Sequence, residues 1–295
     1  MQNSNVPEVL YKYYSPSSWK NVFKSWTMRF SPPKDLNDPF EVRITCKKWL
    51  NRCDRKRALK DNPNIIRDYT STIRDKKERK AFEKKCKKKI LQKLGELSKN
   101  TTNSEDNMVI SEALRSRLGV LCLSETYENI LMWSHYAYYH KGFVIGIKTS
   151  NLISYLRKDF IDGDKIGLKK VNYTNLRNKE NLNEFLSLKP FYEKNSLWQY
   201  EKEWRALLNI ETDWDKWKKV YLRNKEMKGI FSIPTECISK IIFGAMMEDS
   251  HIRAKCRHIR SQSGCQHITF ERMRLHSTEY ALVAERIPDD FWKKR

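Results

Sequence analysis

The chain has 295 residues and a formal net charge of +22, enough length for one large domain or one domain with a big insertion. A field of that sign favours nucleic acid, an anionic membrane or a phosphate-rich ligand, and it speaks to partners rather than to fold. No apolar run of about 18 residues occurs, so no membrane span is expected, and polar Met1 to Glu8 lacks the apolar core of a signal peptide. The seven cysteines, Cys46, Cys53, Cys86, Cys122, Cys237, Cys256 and Cys265, are scattered with no CxxC, which fits reduced thiols in the cytoplasm. His251, Cys256, His258, Cys265 and His267 gather near the C-terminus, but their spacing matches no familiar zinc pattern, and no metal site is assigned there.

Val9 to Tyr14 predicts a first strand. Ser15-Pro16 predicts a helix start, with Ser as cap and Pro in the first turn, continuing through Trp19, Val22 and Phe23. Trp26 to Ser31 predicts a second strand, stopped by Pro32-Pro33. Asp35-Leu36-Asn37-Asp38-Pro39-Phe40-Glu41 reads as a tight loop, because Asn and Asp before Pro bond back to the local backbone.

The composition then changes. Residues 47–99 carry 20 Lys or Arg against 7 Asp or Glu, more than half of the chain's excess charge. Phe82, Cys86, Ile90 and Leu94 recur at helical steps, so one stripe can bury while the rest stays charged; Ile65, Ile66, Tyr69 and Ile73 suggest a helix before it. The expected organisation is one domain from residues 1–45 and 108–295, with 46–107 a basic helical insertion. Its Lys84, Lys85, Lys87, Lys88 and Lys89 suit phosphate contact by charge rather than base reading. Thr101 to Asn107 is a polar linker.

Beyond it, Ser111 to Arg117 predicts a helix, Gly119 to Ser124 a buried strand, and Asn129 to Ala137 a short helix with Met132 and Tyr136 on one face and Leu131 and His135 on another. Gly142 to Ile147 predicts a strand, Asn151 to Arg157 a helix, Leu168 to Tyr173 a strand and Glu180 to Leu188 a helix. Trp214 and Trp217 share a helical face. Gly229 to Ile233 and Ser239 to Gly244 predict strands, Asp249 to about Ser261 a basic helix, and His267 to Phe270 and Tyr280 to Ala284 short final strands. The class is α+β: a mixed, mostly antiparallel sheet with short helices and the basic insertion. GxGxxG, GxxxxGK[ST] and GxSxG are all missing, against a standard dinucleotide fold, a P-loop or a nucleophile elbow.

The stretch Trp198-Gln199-Tyr200-Glu201-Lys202-Glu203-Trp204-Arg205 precedes the apolar run Ala206 to Ile210. If strand geometry holds from Glu201, both carboxylates project from one surface, with Lys202, and further along Tyr200, Trp204 and Ile210, off it. Paired acids on the rim of an apolar sheet suit acid–base work or sugar binding. The plainer reading is two solvated acids paired with Lys202 and Arg205.

Asn37-Asp38-Pro39-Phe40, Met132-Trp133-Ser134-His135-Tyr136-Ala137 with Lys141-Gly142, and Tyr200 through Arg205 resemble the motifs of a widespread bacterial family of unknown function, over most of residues 9–245 outside the insertion. More distantly the chain resembles the ADP-ribosyltransferase fold, with Lys12 where His or Arg is usual on the first strand, Ser31 on the second, and Glu201-x-Glu203 on a late strand. That resemblance implies NAD as cofactor. Glu203 would bond the nicotinamide-ribose 2′-hydroxyl and stabilise oxocarbenium-like charge, and Glu201 would orient or deprotonate the acceptor. Lys12 and Arg29 would hold the pyrophosphate, with Ser31 beside them. Tyr13, Trp133 or Tyr136 would stack on nicotinamide or a target base, and His135 would contact substrate or carry a proton. The implied protein is a nucleic-acid-associated bacterial effector, an ADP-ribosyltransferase-like toxin or antiphage defence protein acting on DNA or RNA. Two alternatives stand beside it. One is a nuclease using Mg2+ held by Asp35, Asp38, Glu201 and Glu203. The other is a non-catalytic nucleic-acid-binding subunit working with a partner protein of a defence or toxin–antitoxin system.

Overall fold

The structure, a computed structural model, describes residues 6–42, 56, 59–60, 75–99, 118–159, 168–176, 189–209 and 229–293. Its centre is an eight-stranded, mostly antiparallel sheet built from β1 (Val9–Tyr14), β3 (Leu118–Ser124), β4 (Phe143–Lys148), β5 (Lys169–Lys170), β8 (Glu203–Asn209), β10 (Ile238–Phe243), β11 (Thr269–Leu275) and β12 (Leu282–Arg286), in the order β12-β11-β10-β4-β1-β3-β8-β5. The pair β10–β11 alone in this sheet is parallel, and the helix α5 (Asp249–Arg260) makes the crossover that a parallel pair needs. Two short pairs lie outside it: β2 (Thr27–Arg29) with β9 (Ile230–Ser232), and β6 (Asn172–Tyr173) with β7 (Glu193–Lys194). This is an α+β arrangement.

Side-chain alternation along β4 sorts the two faces of the sheet. Phe143, Ile145 and Ile147 pack with Trp19 and Phe23 of α1 (Trp19–Phe23), with Leu152 and Leu156, and with Ile252, Cys256 and Ile259 of α5. Val144 points the other way, into a smaller core with Trp133 and Ala137 at α3 (Ile130–Tyr136), Ile242 and Met273. Covering both faces explains why β4 reads as a continuous apolar run, and each large side chain buried there contributes roughly 1.5–3 kcal/mol. Leu152 and Leu156 lie one turn apart on α4 (Thr149–Asp159), the helix after β4, and Ile252, Cys256 and Ile259 form the same kind of stripe.

The turn from α3 to β4 is tightly determined. Asn129 caps α3, accepting from the Met132 amide at 3.1 Å. Tyr138, Tyr139 and His140 then take φ of 48°, 53° and 63°, left-handed conformations that cost L-residues roughly 1–2 kcal/mol each. Gly142 closes the turn because a Cβ there would collide with the Tyr14 carbonyl oxygen and come within 2.8 Å of that of Ala137.

Several expectations shift. Ser15 makes no capping bond to the backbone, and a 3-10 turn, Pro16–Ser18, precedes α1. The second strand is shorter than expected; Ser31 lies past it and bridges Val120 of β3. The strand expected over Leu168 to Tyr173 divides at Val171, whose amide bonds the Glu203 carbonyl, so that β5 joins β8 and β6 joins β7. The last two strands start two residues later than expected, at Thr269 and Leu282. The basic helix is present as α2 (Lys76–Lys99), with Lys84, Lys85, Lys87 and Lys88 exposed, but Phe82 of its expected buried stripe is 42% exposed. The side chain of Lys89, the helix through Ile65 to Ile73, the linker at 101–107, both insertion boundaries, and the helices expected over Ser111 to Arg117, over Glu180 to Leu188 and around Trp214 lie outside the described residues. Among the described residues no helix is long and apolar enough to cross a membrane, and no three His, Cys, Asp or Glu are arranged to hold a metal.

Candidate functional site

The approach to β8 sets the site. Asn195 accepts from the Leu197 amide at 2.9 Å and opens a 3-10 turn, Ser196–Glu201. Lys202 then takes the left-handed conformation, φ 45° and ψ 51°, and β8 begins at Glu203. Glu201 is therefore not a strand residue. The left-handed link leaves Lys202 exposed while both carboxylates turn inward, at 3% and 4% exposure rather than onto an open rim. Along β8 the strand period holds: Glu203 and Arg205 share a face, and Trp204 points away, its indole donating to Glu125 at 2.7 Å.

Lys194 of β7 is the hub. Its Nζ lies 2.6 Å from Glu201 Oε2, 2.9 Å from Glu41 Oε1 and 3.4 Å from Glu203 Oε2. Arg205 donates from Nε and Nη2 to the two oxygens of Glu203, both at 2.8 Å, from Nη2 to Glu41 at 3.0 Å, and from Nη1 to the Phe191 carbonyl at 2.8 Å. Glu41 arrives from the turn that ends the Asn37-Asp38-Pro39 loop, where the Asp38 carboxylate accepts from the Phe40 amide at 2.8 Å. Toward the surface, the Tyr136 hydroxyl donates to Glu201 Oε1 at 2.5 Å, and exposed Asn37 donates to that hydroxyl at 2.7 Å. Glu201 is fixed further by Ser124, whose hydroxyl donates to its carbonyl at 2.6 Å.

Three carboxylates thus face two cations in the protein interior. The two acids of β8's approach are tuned in opposite senses. Burial pushes the Glu201 carboxyl above its ordinary value, and the neighbouring Glu203 charge adds to that against the pull of Lys194. For Glu203 burial acts upward too, but Arg205 first and Lys194 next outweigh it and bring the carboxyl down to about 2. Burial would lower the Lys194 ammonium; the carboxylates of Glu203, Glu41 and Glu201 outweigh it and hold it above its ordinary range. Burial also raises the Tyr136 phenol, helped by the Glu201 charge. Glu41 Oε2 is buried with no hydrogen-bond partner among the described residues, one acceptor left over inside the cluster.

The other expected site residues fall in different places. Lys12 is half-buried and donates to the Cys122 carbonyl at 3.3 Å, where β1 meets β3 at a single register pair, Tyr11 with Ser124. Burial lowers its ammonium, while Cys122 and Glu203 act the other way and Arg29 adds to the lowering, so Lys12 feels both residues. Arg29 is exposed and paired with Asp35 at 2.5 Å. Ser31 is tied to β3 through its backbone, at 2.9 and 2.8 Å to Val120. Tyr13 donates to the Thr126 carbonyl at 3.1 Å and meets Trp133 edge-on. Trp133 is fully buried, its indole on the Tyr127 carbonyl, so the expected stacking on a ligand has no open ring face. His135 is exposed on α3 beside the Tyr136 ring. Glu41, Lys194 and Asn37 were not singled out from the sequence as site residues. Asn37 and Glu41 read as parts of a turn, and nothing around Lys194 in Tyr192-Glu193-Lys194-Asn195 distinguishes it from a solvated lysine.

Residues 132–206 match the model of a family described as a protein of unknown function (DUF2971). The matched span runs from α3 into β8, and so includes Tyr136, Lys194, Glu201, Glu203 and Arg205, while Asn37 and Glu41 lie before it. No curated protein and no solved structure matches the chain.

Chemically, the cluster divides in two. Glu203 is locked as an anion by a two-pronged guanidinium contact, and both of its oxygens already accept from buried cations. Glu201 is the carboxylate with a raised affinity for protons and a hydrogen-bonded route, through Tyr136 and Asn37, to an exposed side chain. Two acids pushed apart in this way are suited to different protonation states at one pH.

Proposed function

We propose that the protein is a cytoplasmic, nucleic-acid-associated bacterial effector with an acid–base centre at Glu201, served by the Tyr136 hydroxyl and by Lys194. The observation that carries this reading is the chain Asn37–Tyr136–Glu201–Lys194, which joins three segments distant in sequence and passes through a carboxyl tuned opposite to its neighbour Glu203. A general acid or base works best when its proton affinity lies near the working pH, and burial moves Glu201 toward that range. The charge of +22 and the exposed lysines of the basic helix supply the attraction for nucleic acid.

Glycosyl transfer from NAD is the first reaction to test, and the residues fit NAD only in part. The role expected of Glu203, accepting from a ribose hydroxyl, does not fit a carboxylate whose two oxygens are held by Arg205 and Lys194, so no step is assigned to it. Glu203 is a positioning residue for Lys194, and Glu201, whose own oxygens are held by Tyr136 and Lys194, exchanges its proton with substrate through the Tyr136 hydroxyl. Labelled NAD is incubated with DNA or RNA and with wild type, Glu201→Gln or Glu203→Gln. The expected result is labelling or NAD turnover lost in Glu201→Gln with the fold retained. No turnover of NAD in any condition removes the glycosyl reading, and activity surviving in Glu201→Gln removes the centre.

The non-catalytic reading has one observation in its favour: every acid of the cluster is ion-paired in the interior, as a keystone of the fold would be. Salt-sensitive nucleic-acid binding, equal in wild type and Glu201→Gln and without product, would select it. The nuclease reading gains no comparable support, because Asp35 pairs with Arg29, Asp38 caps its own loop, and Lys194 occupies the place between Glu201 and Glu203.

A further inference from the structure

Tyr138 and Tyr139 sit side by side in the left-handed turn after α3, at φ 48° and 53°, with His140 next at 63°. Non-glycine residues visit this region singly, and a run of three persists only where the surroundings over-determine it. Here they do: Tyr139 and His140 amides bond the Ser134 and Trp133 carbonyls at 3.3 and 3.2 Å, and the Met246 amide bonds the His140 carbonyl at 3.0 Å. The His140 ring reaches the Ser134 hydroxyl at 3.1 Å and lies parallel to Trp133. His140 is thereby used in folding. The two tyrosine side chains are not. They are 57% and 70% exposed, with ring centroids 5.5 Å apart, and neither hydroxyl has a hydrogen-bond partner among the described residues. Asparagine or glycine would hold the same turn with less strain and less exposed apolar surface.

We infer that Tyr138 and Tyr139 are a stacking platform for unpaired bases of a nucleic-acid strand, which, resting on the nucleic-acid association proposed above, names single-stranded nucleic acid as the substrate class. Three features select this occupant. Exposed aromatic rings stack on any base, whatever its identity. Lys141 lies two residues after Tyr139, past His140, and is exposed, and the chain carries +22, so the phosphates beside a stacked base meet attraction. Tyr136, which touches Glu201, ends α3 two residues before the platform, so the platform and the acid site share one short stretch of chain.

The test is fluorescence anisotropy on the full chain, without NAD, using labelled oligothymidylate, an oligouridylate and an abasic strand of equal length. Wild type is expected to bind the base-bearing strands at least about 10-fold more tightly than the abasic one, from one or more stacked bases. Tyr138→Asn with Tyr139→Asn is expected to erase that preference while abasic binding stays as in wild type, with Tm unchanged or raised by about 2–4 °C per relieved residue. Equal wild-type binding to all strands, a preference that survives the double substitution, or a fall in Tm with loss of binding to every strand would each overturn the platform and leave charge-driven association standing. Tighter binding to anionic vesicles than to any strand would overturn it in favour of a membrane surface. No binding to any strand by wild type would remove the nucleic-acid reading itself.

Discussion

Lys194→Met keeps the aliphatic stem of the hub and removes its ammonium. Of Glu41, Glu201 and Glu203, with side chains at most 6% exposed, the first and last then keep Arg205 as a direct cation, and Glu201 keeps none among the described residues. Removing one partner of a buried ion pair costs about 3–5 kcal/mol. Glu203 gives a second measure: a carboxyl held at about 2 instead of 4.5 represents about 3 kcal/mol of stabilisation shared between Arg205 and Lys194. Lys194 supplies part of that and also serves Glu41 and Glu201, so about 3 kcal/mol is expected, or about 6–12 °C in Tm. The sign with pH follows from the same charges. The Glu203 contribution is present above pH 4.5 and is lost as pH falls from there toward 2. The Lys194 contribution is full below 10.5 and is lost only as pH rises beyond that. The gap between wild type and variant is therefore widest near pH 7.5 and narrows toward pH 4, where protonation relieves the unpaired carboxylates. Urea unfolding followed by tryptophan fluorescence at both pH values measures it, and adding Glu201→Gln should restore roughly half of the loss. A deficit under about 1 kcal/mol at pH 7.5, or one of equal size at pH 4, would refute the hub role of Lys194.

Tyr136→Phe removes the one hydroxyl on Glu201 Oε1, which stabilises the carboxylate; the Glu201 titration should move upward in carboxyl-carbon NMR, with a stability loss of about 1–3 kcal/mol. Gly142→Ala places a methyl against the Tyr14 and Ala137 carbonyls and should destabilise by several kcal/mol, about 3 or more, in thermal unfolding, far beyond an exposed glycine substitution. Replacing Lys84, Lys85, Lys87 and Lys88 with Gln should leave Tm nearly unchanged and reduce the slope of log K against log salt for duplex DNA by about 3–4 if each contacts one phosphate. An unchanged slope would take the basic helix out of binding.

Most of the sheet was legible. Gly142 to Ile147 reads as a strand and Asp249 to about Ser261 as a helix, and both stand; that Phe143, Ile145 and Ile147 face one core, Val144 the other, and Ile252, Cys256 and Ile259 the sheet came from the packed structure. The division at Val171 was not read from the sequence, although Leu168 and Val171 lie three apart and break the period of two; β5 pairing with β8 and β6 with β7 splits the segment there. Glu201 and Glu203 were visible as a pair, but not which way they turn. That depends on Lys202 adopting a left-handed conformation, which no lysine announces.

From residue order alone came the approximate places of most described strands and helices, the class, the electropositive character and the two acids, since all of these rest on local periodicity or on summed charge. Which acid is pinned and which can exchange a proton depended on Lys194, Glu41 and Tyr136, residues 7 to 160 positions away from Glu201, whose meeting is settled by strand order and by two turns. Long-range electrostatics inside a protein is set by who is buried beside whom, and burial is a property of the packed chain rather than of any stretch of it.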